Sequence, residues 1–221
     1  METCTSYRRI IVTQRTFTSK NEPFPYIYIE NIFTEKELEK IHQELDYYQM
    51  MKNDFFLNAK DTAPAQSKDG KILKKNKAFF LTEVWSSPNF SYICKTCHSL
   101  FVPNAFSHED NHYFKGFRPG LTGFLISYYG DGDYYKPHSD SAVASMVIWI
   151  YKEPKKFEGG DFIFSDFPDL KVESKNNCGI IFPSRYWHQV NPVKISVEDQ
   201  EAGNGRYSFN LFMDNYVQPP Q

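Results

Sequence analysis

The 221-residue chain lacks any apolar run approaching the roughly 20 residues of a membrane-spanning helix. It lacks a bias of charge: 25 Lys and Arg stand against 27 Asp and Glu, a net −2. That balance argues against a nucleic-acid binder working by bulk charge. Met1 to Arg9 carry no long apolar stretch, which argues against a secretory signal. Four cysteines do not make a disulfide scaffold at this length. No internal repeat or low-complexity tract is present. These absences lead to the expectation of a reduced, soluble, cytoplasmic protein with no membrane partner.

What the chain has is apolar and aromatic mass. Apolar residues make up 41%, enough for a core, and 20 Phe, 15 Tyr and 3 Trp favour strands over helices. Pro25 to Ile29 reads as a short strand. Thr34 and Glu37 form a capping box, and Leu38, Ile41 and Leu45 follow at helical spacing, so a helix should run to near Tyr48. Residues 58–77 are polar, with Lys71, Lys74, Lys75 and Lys77, and read as a solvated loop. Ala78 to Leu81 reads as a strand, and Ser91 to Val102 as a helix.

After Gly120 short apolar strands alternate with turns. The expected strands are Gly123–Tyr129, Ala144–Tyr151, Asp161–Phe164, Cys178–Phe182, Trp187–Val190 and Arg206–Tyr216. Turns carry Gly130 to Asp133, Gly159-Gly160 and Asn204-Gly205. The pattern predicts an α+β, mainly β fold, with N-terminal helices packed on a double-sheet barrel of sandwich or jelly-roll type. No linker divides the chain. Residues 1–221 are expected to form one domain, with 1–119 as support and 120–216 as the core.

Cys94-Lys95-Thr96-Cys97-His98 matches the C-x-x-C-H pattern of haem c attachment. Without an export signal, and with Cys4 and Cys178 standing alone, neither haem nor zinc is expected there. The two thiols read as half-buried packing residues on a helix.

The chemistry concentrates downstream. On a strand, His138 and Asp140 would share one face with Ser139 turned away. An H-x-D alone is weak, and a surface turn after Pro137 explains it as well. His188 follows 50 residues later in another predicted strand. Two imidazoles and a carboxylate form the facial triad of non-haem Fe(II) oxygenases, which leaves open positions for a chelating cosubstrate and O2. Zinc on the same ligands would point to hydrolysis. Arg206 and Ser208 share a face at the start of the last strand, extended by Asn210. Arg206 could fork a distal carboxylate, with Ser208 as a further donor. A solvated strand-edge arginine is the plainer alternative.

Tyr129 to Asp140, Phe157 to Phe162, Phe182-Pro183-Ser184 leading to His188, and Gly205 to Ser208 together resemble the prolyl-4-hydroxylase-like branch of the Fe(II)/2-oxoglutarate-dependent dioxygenases. The likeness covers residues 120–216, and more loosely Lys77 to Trp85. It implies a cupin-like double-stranded β-helix with Fe(II) on His138, Asp140 and His188. It implies 2-oxoglutarate chelating the iron, with its far carboxylate on Arg206, O2 as oxidant, and ascorbate as an accessory reductant. Tyr129 falls on a tyrosine that helps bind the cosubstrate; a core aromatic is the equal alternative. Trp149 and Tyr151 are expected in the core, and Trp187 is expected to pack in support of His188.

The implied reaction is hydroxylation of a C–H bond of a prolyl residue or amino-acid-like substrate, with release of succinate and CO2. The presence of Asp140 favours hydroxylation over halogenation. Free amino acids or small metabolites are the alternative substrates, and a non-catalytic metal- or ligand-binding barrel the alternative from another class. Nucleic-acid demethylases of the AlkB type carry a second Arg six positions after the first, where this chain has Phe212. Residues 50–77 and 191–205 could each form a lid. Oligomeric state is not legible.

Overall fold

The computed structural model describes residues 15–62, 66–100 and 111–215. In chain order the strands and helices are β1 (Thr16–Lys20), β2 (Tyr26–Glu30), α1 (Glu35–Met50), α2 (Lys52–Phe55), β3 (Leu57–Asn58), β4 (Lys74–Lys75), β5 (Lys77–Phe80), α3 (Leu81–Val84), α4 (Tyr92–His98), β6 (Pro119–Tyr129) and β7 (Tyr134–His138). There follow β8 (Ala144–Ile150), β9 (Phe157–Gly159), β10 (Phe162–Phe164), β11 (Cys178–Pro183), β12 (His188–Val190), β13 (Val193–Ile195), α5 (Val197–Glu201) and β14 (Arg206–Asn215).

The strands form an antiparallel eight-stranded sheet, ordered β1-β2-β11-β8-β14-β6-β5-β3, and a four-stranded sheet, ordered β10-β12-β7-β4. β13 and β9 make a separate pair. This is the expected mainly β jelly roll.

The large sheet is buried on both faces, and its side chains sort by strict alternation. On β14, Tyr207, Phe209, Leu211 and Met213 face a cluster that includes Ile41, Leu45 and Tyr48 of α1. Arg206, Ser208, Asn210, Phe212 and Asp214 face the barrel interior. β6 repeats the pattern: Phe124, Ile126 and Tyr128 go to the helix side, and Leu125, Ser127 and Tyr129 to the interior. The N-terminal helix thus covers the outer face of the large sheet, burying apolar side chains worth about 2 kcal/mol each.

α1 begins where the capping box predicts. The Thr34 hydroxyl accepts the Glu37 N–H at 3.3 Å, and the Glu37 carboxylate accepts the Thr34 N–H at 2.8 Å. α4 starts at Ser91, whose hydroxyl caps the Cys94 N–H; Val102, the expected end of that helix, lies outside the described residues. Cys94 and Cys97 are 3% and 0% exposed, more deeply buried than expected. Both thiols belong to the core cluster beneath the large sheet. Tyr216, the expected end of the last strand, also lies outside the described residues. No helix among the described residues is long and apolar enough to cross a membrane.

Candidate metal centre

His138 ends β7 and His188 begins β12, and the two are directly paired across the antiparallel ladder. Cross-strand pairing puts both imidazoles on the same face of the small sheet. Asp140 is not on the strand, as the alternation argument expects. β7 stops at His138 because the chain turns there, and the Asp140 N–H donates to the Ser184 carbonyl at 3.0 Å instead of to a ladder partner. The turn still carries the carboxylate to the histidines. Asp140 Oδ1 lies 3.8 Å from His138 Nε2, and Oδ2 lies 3.6 Å from His188 Nε2. Among the described residues these three form the group able to hold a metal.

Each histidine is oriented by its own backbone. Nδ1 of His138 donates to the Lys136 carbonyl at 2.9 Å, and Nδ1 of His188 to the Tyr186 carbonyl at 3.0 Å. A carbonyl only accepts, so Nδ1 holds the proton and the Nε2 lone pair faces Asp140. Burial, and the neighbouring His188, push the His138 pKa well below the ordinary value, keeping the ring neutral as a ligand must be. Tyr135 stacks on His138 with centroids 3.5 Å apart. Phe162 and Phe182 pack on His188 at 5.4 and 5.0 Å.

Asp140 is held by two serines. Ser145 donates to Asp140 Oδ2 at 2.6 Å, and the Ser184 hydroxyl lies 2.7 Å from that of Ser145. Since the Ser145 proton is committed to the carboxylate, Ser184 is the donor in the second bond.

A cavity of about 450 Å³ runs from these residues along the inner faces of β6 and β14. At its inner end Arg206 is 1% exposed, and neither terminal guanidinium nitrogen has a hydrogen-bond partner. The strand-edge alternative is thereby excluded. A buried cation with its fork unpaired is costly unless a ligand anion completes it. Tyr129 is the cross-strand partner of Arg206, and its ring lies 4.9 Å from the guanidinium carbon. Gly160, with φ of 72°, lets Arg206 pass; a Cβ there would meet Arg206 Cδ at 2.8 Å. Tyr129 and Ser208 both line the cavity, and Tyr129 also belongs to the buried cluster that holds Trp149 and Phe162. Burial raises the Tyr129 pKa, against the opposing pull of Arg206, so its hydroxyl stays protonated and able to donate. Asn76, 5% exposed with its amide unsatisfied, sits beside the Tyr129 hydroxyl.

The donor set and the vacant guanidinium fork suit a divalent metal with a dicarboxylate. Two nitrogens and one carboxylate leave open positions on an octahedral ion. A chelating acid on that ion could extend its far carboxylate toward Arg206.

Two expectations fail at the site. Trp187 is 48% exposed and does not pack against His188; that support comes from Phe162 and Phe182 on neighbouring strands. The lysine-rich segment is not wholly solvated. β4 pairs with β7, and Lys74 is buried and lines the cavity. Among the described residues, 191–205 contributes no side chain to the lining. Trp149 and Tyr151 pack in the inner core, as expected. Sequence reasoning missed Lys74, Asn76 and Ser145; the alternation of Lys74 and Asn76 is the faint signal that could have found the first two.

Residues 124–214 match the 2OG-Fe(II) oxygenase superfamily model. A PKHD-type hydroxylase of Azoarcus sp. (strain BH72) is 27% identical over 110 residues, which are 44% of this chain and 44% of that protein. The match thus spans under half the length of that curated relative. A Pseudomonas putida prolyl-4-hydroxylase has a similar fold, with TM-score 0.55 and 14% identity over 87% of this chain and 93% of that one. A 2OG-Fe(II) oxygenase family oxidoreductase from Burkholderia pseudomallei gives TM-score 0.55 and 12% identity over 86% and 85%. The matched stretch contains all three members of the His138–Asp140–His188 group.

Proposed function

We propose that this protein hydroxylates an unactivated C–H bond of a prolyl residue or amino-acid-like substrate. The observation that carries the reading is the unpaired Arg206 fork at the end of the cavity that also holds His138, Asp140 and His188. The name of the Azoarcus relative, a PKHD-type hydroxylase, supports the same class. When bound, Fe(II) supplies the oxidising chemistry with O2 and 2-oxoglutarate, the cosubstrate leaving as succinate and CO2.

The chain's own part is binding, orientation and exclusion of water. His138, Asp140 and His188 would hold the metal through Nε2, a carboxylate oxygen and Nε2. Arg206 would fork the far carboxylate of the cosubstrate, with Ser208 and Tyr129 as hydroxyl donors beside it. Ser145 and Ser184 keep the Asp140 carboxylate aimed. Tyr135, Phe162 and Phe182 wall the centre with aromatic surface, which lowers the local dielectric and strengthens each of these contacts. Phe212 lines the cavity at the position where a second cation would suit a nucleic acid.

Anaerobic titration with Fe(II) and 2-oxoglutarate tests this directly. The expected result is a weak visible charge-transfer band, followed by succinate on admission of O2. Loss of both in Asp140→Ala, with the fold retained, supports the triad. A folded, metal-loaded protein that gives neither band nor succinate overturns the reading in favour of a ligand-binding barrel.

A further inference from the structure

The cavity contains a second cation beside Arg206. Lys74 is 4% exposed and lines the same space as His138 and Arg206. Its ammonium donates to the backbone carbonyl and the hydroxyl of Thr62, at 3.0 Å each, and lies 5.8 Å from the Tyr135 ring centre. None of these partners carries a charge. Among the described residues no carboxylate lies within ion-pair distance of it. Its neighbours in the run behave differently: Lys71 and Lys75 are exposed and meet Asp69 and Asp133. Lysine is rarely buried so fully without a partner.

The charges of the loaded site make the surplus specific. The two positive charges of Fe(II) and the one on Arg206 are matched by Asp140 and the two carboxylates of 2-oxoglutarate. Lys74 is left over. Burial pushes its pKa down to about 8, so it still carries its proton at neutral pH. Two of its three N–H bonds go to Thr62, which fixes the ammonium and leaves the third for a ligand.

We propose that Lys74 is the receptor for an anionic group on the substrate, and that the substrate is a small carboxylic acid of amino-acid size. This rests on the oxygenase reading above and deepens it. An internal prolyl residue of a polypeptide offers no charge at its backbone, so it would leave this ammonium unmatched. The cavity, about 450 Å³ and shared with the cosubstrate, lies at the small end of the range for ligand pockets. Lys74 faces Tyr135 across the ladder, three residues before His138, so a carboxylate held there lies beside the metal ligands.

The test uses the full chain loaded with Mn(II) and 2-oxoglutarate under anaerobic conditions. Free L-amino acids, L-proline among them, are titrated calorimetrically, each against its carboxamide. The expected result is a preference for the acid of tenfold or more, lost in Lys74→Met and in Lys74→Gln, and partly kept in Lys74→Arg. Lys74→Gln can still donate to Thr62, so its loss separates charge from packing. Equal binding of acid and amide by the wild-type protein overturns the proposal. So does an acid preference that survives Lys74→Gln, or a Lys74→Gln defect confined to 2-oxoglutarate affinity. The 2-oxoglutarate affinity of the wild-type protein, read in the same samples, tests the underlying oxygenase reading by itself.

Discussion

His138 and His188 are direct partners across two antiparallel strands, with ring centroids 4.2 Å apart, although 50 residues separate them in the chain. The pairing makes the metal centre a property of the small sheet. Whatever preserves the β7–β12 ladder preserves two of the three ligands. The third depends on a turn, and on the serines that hold it.

Ser145→Ala removes the bond that aims Asp140 and leaves the Ser184 hydroxyl without its acceptor. Loss of such an outer partner weakens metal binding by about 10- to 100-fold. Titration of the apo protein with Mn(II) should show that loss, with an unchanged far-UV dichroism spectrum. Wild-type affinity in the variant would mean that the turn alone positions the carboxylate.

Arg206 should have opposite effects on stability and on binding. Its buried, unpaired guanidinium costs the cosubstrate-free protein free energy, so Arg206→Met should raise the melting temperature there, equivalent to about 1–3 kcal/mol. With saturating 2-oxoglutarate and Mn(II), the wild type should gain stability and the variant should not. Differential scanning calorimetry of the four samples checks both signs. A variant less stable than the wild type without cosubstrate would show that Arg206 is satisfied within the chain.

Lys74 predicts a pH dependence. Its pKa falls from 10.5 to about 8 on folding. Between those values the unfolded chain binds more protons than the folded one, so stability rises with pH across the window. His138, which lines the same cavity, is neutral well below the window. Relative to Lys74→Met, the wild type should gain up to about 3 kcal/mol between pH 8 and 10.5. Urea unfolding at several pH values would measure it, and a flat difference would place the ammonium in contact with water.

Thr34→Ala should cost about 1 kcal/mol by opening the capping box of α1, without changing metal affinity. Chemical denaturation and Mn(II) titration give the two numbers. A fall in metal affinity would show that the helix positions the centre through the large sheet.

Much of the candidate site was legible because local rules govern it. Period-two alternation places Arg206, Ser208 and Asn210 on one face of β14, and the structure keeps them there. The helix signal at Thr34 and Glu37 was equally local. Asp140 shows the limit: H-x-D promised a strand, but a long-range bond to Ser184 ends it early. Trp187 shows the same limit, since an aromatic beside a ligand says nothing about which face of the turn it takes.

The sequence by itself determined which residue types were available for the metal and for the distal carboxylate, and the mainly β architecture, because spacing and alternation act over a few residues. The tertiary structure alone decided what surrounds them. It joined Ser145 and Ser184 to Asp140 and left the Arg206 fork unpaired. It also drew Lys74 out of a run of solvated lysines into the cavity. Each of these depends on strand pairings between distant segments, where burial removes water and sets the worth of every charge and hydrogen bond.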